Sequence, residues 1–568
     1  MLVALSLACF VVGNGLVSLT YPDEVFYAQT ATEMLEHNSW LTPLLFDQPQ
    51  FEKPIVVYWL LCLSFACFGV GSFAARLVPA AAAMAGVLVV YEFGRILLKD
   101  ERKALAGGLV LATSLLYVGL ARMVMTDMLF SVLILLAIAA FYRAYDQTAC
   151  RTRGIMGFFL FTGLAVLTKG PLGFVLPALI VIIFMAVRHD FNLLREKAVR
   201  HGFLLFAFLV LPWYTFMITR YGYQFVGEFF VNDHYRRLVE AEHPSNDTWF
   251  FYPLSLLAGM FPWSFYAVAG IVLMVRRIRS GRSVAHIFLA IWVFVVWAVF
   301  QVAHSKLVSY FFPIFPAVAL LAGEFIVDPE TPRQRFLRPF ASISTSVVLL
   351  AVVLAFSIFA EHKYGLLSDA GTPAQLVFLL ACVGLVVIAV TVWRSWRQSV
   401  PWNRTWYLSF VVPVFLFLLG LGAPMVEPFV SCRQACEFLK SQEGVRGPIL
   451  CSKFSARAVR FYTGYDVAVV ELNGNNYFSP HPIPFLKTEK AIVDFLSQRP
   501  VTYCLVRSSA AGDLEKLASG AFKYCLLKGI GDVDILRITP NGQNNTRNQG
   551  DRRSTRPSPK AVCALSQN

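Results

Sequence analysis

The chain has 568 residues, 57% hydrophobic and only 15% charged, with a mean hydropathy of +0.60. A soluble globular chain is about 45–50% apolar and about 25% charged, so a cytosolic enzyme, a disordered protein and a secreted disulfide scaffold are excluded and a polytopic membrane protein is required. The net charge of +14 is not gathered on a basic face interleaved with stacking aromatics, so it reads as a membrane topology signal, with no nucleic acid among the partners.

A spanning helix needs about 20 mainly apolar residues. In chain order the sequence predicts spans over 1–19, 72–98, 103–120, 127–143, 154–168, 171–187, 201–219, 250–275, 283–303, 308–327, 339–360, 373–393 and 406–424, about thirteen in all. Residues 1–19 hold no Lys or Arg, and no clean small-x-small site precedes Asp23. They are therefore read as an uncleaved first helix and not as a signal peptide. Between the first two spans, EVFYAQTATEMLEHN (24–38) and the apolar 54–68 read as helices lying along the membrane surface. Residues 220–248 form a second large loop, rich in charge and aromatics.

From about residue 430 the composition changes. PILCSK, VAVVEL, TYCLVR and YCLLKG read as short strands, interleaved with the helix-like CRQACEFLKSQ and TEKAIVDFLSQ. The expected organisation is a helical membrane module over 1–429, with 20–71 and 220–248 as external loops. A small α/β domain follows over 430–540, then a polar, disordered tail over 541–568.

Alternate loops are basic, for example Arg143/Arg151/Arg153, Arg276/Arg277/Arg279/Arg282 and Arg394/Arg397/Arg404. The positive-inside rule makes them cytoplasmic. The other loops, and with them the C-terminal α/β domain, then face outward, into the periplasm of a bacterial inner membrane.

Ionisable residues close to a bilayer are costly and mark function. Here they gather on the outward side: Asp23 and Glu24 after the first span, Glu52 and Lys53 in the first external loop, Asp127 at the start of a span, and Lys169 between two spans. Asp233, His234, Arg236 and Arg237 lie in the second external loop, and His304, Lys306 and Tyr310 lie at the junction of the ninth and tenth spans. Singly, each suits a plainer role: Asp23 and Asp127 as helix caps, Lys53 as a snorkelling side chain, Lys169 as a charge at a helix C-terminus. Jointly they describe an active site at the outer membrane surface fed by lipid-borne substrates. Lys53, Lys169, Arg236 and Arg237 suit a phosphate, to which arginine adds bidentate geometry. Nucleotide sugars are absent outside the membrane, so a polyprenyl-phosphate sugar is the natural donor. Its phosphate leaves as an anion that cationic donors stabilise as charge develops. Asp23 and Asp127 suit a general base or the stabilisation of an oxocarbenium-like centre.

The blocks YPDEVFYAQTATEMLEHNSWLTPLLFDQPQFEKPIVVYWL, GSFAARLVPA, RMVMTDMLF, LTKGPLGFVLP, NDHYRRL and SKLVSYFFPIFPAVAL together resemble the GT-C transferases that use polyprenyl-phosphate sugars, most closely the aminoarabinose lipid A transferases. The resemblance covers about 20–327. It implies a GT-C fold and an inverting glycosyltransferase that moves a sugar, 4-amino-4-deoxy-L-arabinose or a relative, from polyprenyl phosphate to lipid A or another envelope glycolipid. It also implies roles: Asp23, of the Asp23–Glu24 pair, and Asp127 as catalytic acidic residues, and Lys53, Lys169, Tyr310 and an arginine of the Arg236/Arg237 pair as substrate-binding groups. Glu52 and His234 are implied as ligands of a divalent metal such as Zn, Mg or Mn. Three positions depart from the pattern: Gln50 replaces a tyrosine, Asp233 a glutamate, and SKLVSY stands for SKLPTY. A protein O-mannosyltransferase-like enzyme and a lipid or sugar transporter are the alternatives. The latter is disfavoured by polar groups that cluster at one face without an internal repeat.

Overall fold

The computed structural model describes residues 1–241, 244–281, 283–328, 423–470, 483–517 and 520–541. The described chain divides into two compact units, one helical and one α/β. The predicted spans 339–360 and 373–393, nearly all of 406–424, and all but the first residue of the 541–568 tail lie outside the described residues.

The helical unit begins with α1 (Leu2–Phe10). A continuous span over 1–19 was expected, but the helix ends at Phe10 and the chain goes on in turns. Two arginines explain the stop. Arg122 donates to the carbonyls of Cys9 and Val12 at 3.0 and 2.9 Å, and Arg76 donates to that of Asn14 at 2.9 Å. Carbonyls that would face an unfavourable apolar medium unpaired are thus satisfied from outside the helix.

Further along lie α3 (Val56–Phe68), α4 (Ser72–Leu98), α5 (Glu101–Ala112), α6 (Leu115–Ala121) and α7 (Thr126–Asp146). Next come α8 (Arg151–Lys169), α9 (Leu172–Arg188), α10 (Lys197–Val226), a π-helical stretch (Gly227–Arg236) and the single turn α11 (Arg237–Val239). The unit continues through α12 (Phe251–Gly259), α13 (Ser264–Arg279), α14 (Val284–Val302) and α15 (Phe315–Val327). Among the described residues, five helices are long and apolar enough to cross a membrane, or seven if each of two bent pairs makes one span.

Those bent pairs replace the straight spans expected over 103–120 and 250–275. The α5–α6 pair bends by 62° and the α12–α13 pair by 117°. At the first break Thr113 Oγ1 and Ser114 Oγ donate to the carbonyls four residues back, a back-bond that bends helices. At the second, Pro262 lacks an N–H and disfavours helix at Phe261. The two breaks meet: Leu115 N donates to Phe261 O at 2.8 Å, and Trp263 Nε1 donates to Thr113 Oγ1 at 2.9 Å. Each break supplies the partner the other lacks.

Helix contacts are close where side chains are small. A Cβ on Gly323 of α15 would stand 2.3 Å from Gly107 N of α5, and one on Gly154 of α8 would stand 2.5 Å from Ala140 O of α7. Such approach is how helices associate without a hydrophobic driving force between them. At one end of the unit Glu324, 2% exposed, takes Lys103 Nζ at 3.0 Å, Arg277 NH1 at 2.5 Å and His286 Nε2 at 2.8 Å. That end carries the basic loops. α7 runs toward it and α8 away from it, and the ends remote from it carry Asp127 and Lys169.

The α/β unit holds residues 17–39 and 44–49 together with the described residues from 423 onward. The first external loop is thus divided between the two units and does not belong whole to the membrane module. α2 (Asp23–Glu36) and the β1–β2 hairpin (Leu44–Leu45, Gln48–Pro49) are followed, after residue 423, by α16 (Ala423–Val430), α17 (Arg433–Ser441), β3 (Ile449–Ser452) and α18 (Ala456–Thr463). β4 (Val467–Val470), β5 (Phe485–Leu486), α19 (Glu489–Ser497), β6 (Thr502–Arg507), α20 (Ser508–Leu517), β7 (Phe522–Ile530) and β8 (Val533–Pro540) complete it. The sheet order is β5-β4-β3-β6-β8-β7, with β8 antiparallel to both its neighbours. All four expected strands are present, and the short β5 and the alternating β8 (VDILRITP), which lies between β6 and β7, join them. Within this unit Arg457 lies 4.5 Å over the Phe26 ring and Arg460 NH2 pairs with Asp47 Oδ2 at 2.5 Å, tying α2 and the hairpin to α18.

Candidate active site

A cavity of the helical unit, about 140 Å³, is lined by Lys53, Lys169, Asp233, His234, Arg237 and Tyr310 over an apolar floor that includes Phe130 and Phe300. Residues more than 250 positions apart converge there, each through a local reason.

Lys53 lies in the extended FEKP segment before α3. Phe51, 2% exposed, seats that segment against the rings of Tyr221 and Phe225 on α10. Gln50 braces it, accepting from Glu52 N at 2.9 Å and donating to Tyr58 OH at 2.7 Å. The departure from the family's tyrosine is therefore absorbed by a side chain that holds the loop. Lys169 ends α8, where the helix dipole favours a cation. Gly170 follows at φ +98°, and a Cβ there would lie 2.5 Å from His234 Nε2, so only glycine fits.

Asp233, His234 and Arg237 come from the π-helical stretch and the turn after it, the kind of irregularity that recurs at functional sites. Its wider turn lets His234 Nδ1 donate to Phe229 O, five residues back, at 2.7 Å. A carbonyl only accepts, so that bond puts the proton on Nδ1.

The charges interlock. Asp233, 8% exposed, takes Lys53 Nζ on Oδ2 at 2.7 Å and Arg237 NH2 on Oδ1 at 3.0 Å. Arg237 NH1 donates to Tyr310 OH at 2.9 Å. Lys169 Nζ pairs with Asp127 Oδ1 at 2.6 Å and stands 5.0 Å over the Tyr310 ring and 5.6 Å over that of Phe130. Three cations thus face two carboxylates, which leaves one positive charge over. Asp127 is no helix cap. It is the second residue of α7, and its carboxylate serves Lys169.

Not every expected residue joins this group. Arg236 and Arg237 do not act as a pair: neighbouring helical residues point about 100° apart, and Arg236 pairs with Glu240 at 3.3 Å. Lys306 and His304 both bind Asp247, the latter at 2.7 Å. Glu52 and His234 supply two donors for a metal. Among the described residues no group of three or more His, Cys, Asp or Glu is arranged to hold an ion, and His234 Nε2 packs against Gly170. The residues do not make up a coordination shell, and no chemical step is routed through a metal. Asp23 and Glu24 belong to the α/β unit. Asp23 is exposed at the first turn of α2, while Glu24 is buried and accepts from Thr20 N and Oγ1, both at 2.9 Å, which fixes the turn before the helix. The sequence places Asp233 in the outward-side constellation and as a departure from the family pattern, but does not assign it a partner. Its i, i+4 spacing to Arg237 was the available signal for its pairing.

Residues 52–216 match the family described as dolichyl-phosphate-mannose-protein mannosyltransferase. The undecaprenyl phosphate-alpha-4-amino-4-deoxy-L-arabinose arabinosyl transferase of Pseudomonas aeruginosa (strain UCBPP-PA14) is 30% identical over 410 residues, covering 70% of this chain and 71% of that protein. The protein of the same name from Pectobacterium carotovorum is 29% identical over 440 residues, covering 74% and 75%. The fold matches the crystal structure of ArnT from Cupriavidus metallidurans bound to undecaprenyl phosphate, with a TM-score of 0.76 at 19% identity, over 94% of this chain and 97% of that one.

Proposed function

The chain belongs to the family of undecaprenyl phosphate-aminoarabinose arabinosyl transferases, and from that premise we propose that its cationic cavity holds the phosphate of an undecaprenyl-phosphate-linked sugar. The sugar is 4-amino-4-deoxy-L-arabinose or a close relative, and it passes with inversion to lipid A or another envelope glycolipid. The observation that carries the reading is the convergence of Lys53, Lys169 and Arg237 on one cavity with a single positive charge in excess.

The bond between sugar C1 and the phosphate oxygen breaks, and its electron pair goes to the leaving phosphate. An acceptor oxygen bonds C1 from the opposite face. Lys53 and Arg237, already aligned by Asp233, hold the phosphate oxygens more tightly as charge accumulates on them. Lys169, steadied by Asp127, adds a second cation, and Tyr310 orients Arg237. A lipid A phosphate is anionic near neutral pH and attacks without a base, whereas a hydroxyl acceptor requires one. Asp23, which the family resemblance makes a catalytic acidic residue, is expected to be required for turnover and not for folding. A divalent ion at Glu52 and His234 would be auxiliary, so chelation is expected to leave turnover unchanged. Loss restored by zinc or manganese would give that pair a metal.

The cavity lies at the end of α7 and α8 opposite the basic loops, which supports a periplasmic site. A reporter fused after Asn246 is expected outside, and a cytoplasmic signal there would reverse this sidedness. The activity is tested with purified protein, undecaprenyl-phosphate aminoarabinose and lipid A, read by mass spectrometry. Labelled lipid A is expected. Transfer only to protein hydroxyls, or none, would overturn the reading.

A further inference from the structure

Ser305 is fully buried and lines the cavity beside Arg237 and Tyr310, yet among the described residues its hydroxyl has no hydrogen-bond partner. Two other buried serines of this unit, Ser114 and Ser255, each donate to the carbonyl four residues back, and although the Ser6 hydroxyl in α1 is also unpaired, Ser6 does not line the cavity. Ser305 lies beyond the end of α14, in a bend, where no such carbonyl is offered. A buried hydroxyl left unpaired costs free energy, and such groups in native structures call for a reason.

The segment around it is held firmly. Ser305 N donates to Arg237 O at 3.1 Å and His304 N to Leu238 O at 3.2 Å, so the chain is registered against the turn that carries Arg237. The residues on either side, His304 and Lys306, are both fixed to Asp247. The backbone at Ser305 is thus fixed beside a cavity whose excess charge is positive.

Resting on the phosphate reading above, we propose that Ser305 Oγ donates a hydrogen bond to an anionic oxygen of the donor's phosphate, alongside Lys53 and Arg237. It is a binding and positioning residue, set where a neutral donor adds direction to a charge that the cations neutralise.

The test is binding of undecaprenyl phosphate to the purified full chain, with lipid A titrated in parallel. A hydrogen bond to a charged group gives an expected rise in Kd of about ten- to a hundred-fold for Ser305→Ala. Ligand-free thermal stability should be equal to or above that of the wild type, because an unpaired buried hydroxyl has been removed. Ser305→Thr, which keeps the hydroxyl, should recover affinity, and Ser305→Cys, a weak donor of similar size, should not. Wild-type affinity in both Ser305→Ala and Ser305→Cys would overturn the assignment. If Arg237→Ala still weakens binding, that result leaves the phosphate reading intact. Failure of the wild type to bind undecaprenyl phosphate would remove both. A loss confined to lipid A would overturn the assignment to the donor.

Discussion

Replacing Asp233 by Asn keeps the shape of the side chain and removes the one negative charge between Lys53 and Arg237. The carboxylate is 8% exposed, with the two cations at 2.7 and 3.0 Å and themselves 12% and 22% exposed. A charge pair about 4 Å apart gains about 4 kcal/mol at an effective dielectric of about 20. Dehydration offsets much of that, but removing one partner of a buried pair still costs about 3–5 kcal/mol, because the remaining charge is stranded. The partial exposure of Arg237 puts the expected loss at the lower end, about 3 kcal/mol. Undecaprenyl phosphate brings an anion to the same two cations. It should therefore stabilise Asp233→Asn more than the wild type, by more than the roughly 2.7 kcal/mol that any ligand gives at a hundred times its Kd. Thermal unfolding in detergent, with and without undecaprenyl phosphate and with a neutral lipid as control, reads both effects. A variant as stable as the wild type, or one stabilised by the ligand only to the same extent, would refute the argument that Asp233 holds the place of a phosphate.

Asp23→Asn preserves a good helix-terminal residue while removing charge; most activity should be lost at unchanged thermal stability, and full activity would leave Asp23 a structural residue. Asp127→Asn should reduce turnover about as much as Lys169→Ala, with the double variant little worse than either, since the pair acts as one unit; additive losses would separate them. Hydrogen bonds from Lys306 and then His304 hold the Asp247 carboxyl below its ordinary value of 3.8. The folded form thus binds its proton less readily than the unfolded form. The stabilisation is fully present above pH 3.8 and is lost as pH falls through the depressed value. Hydrogen exchange over 244–250 should stay slow from pH 7 to pH 4 and rise only below that; a rise already between pH 7 and pH 4 would refute control by Asp247.

Periodicity and charge were enough to locate most helices, because a lipid-facing span must be apolar for a length set by the bilayer. They failed at α1, α5–α6 and α12–α13, where the backbone is broken and the orphaned groups are taken by Arg76, Arg122 and a second broken helix. Those partners lie far away in sequence, so no local pattern announces them. The α/β sheet was legible in four strands, whose apolar runs mark buried positions. β8 was missed although its alternation was present.

The sequence by itself determined which chemistry was available: a membrane chain, basic loops on one side, and lysines, arginines and carboxylates within the DE, FEKP, TKGP and HYRRL blocks. Residue type and spacing are local properties, and the linear chain displays them. Only the tertiary structure decided how those charges are used. It paired Lys53 with Asp233 across 180 residues and Lys169 with Asp127 across 42. It chose Arg237 over Arg236 through the π-helical turn, and it left the Ser305 hydroxyl unpaired in a cationic cavity. Each of these depends on which helix faces which, a matter fixed by packing between elements distant in sequence.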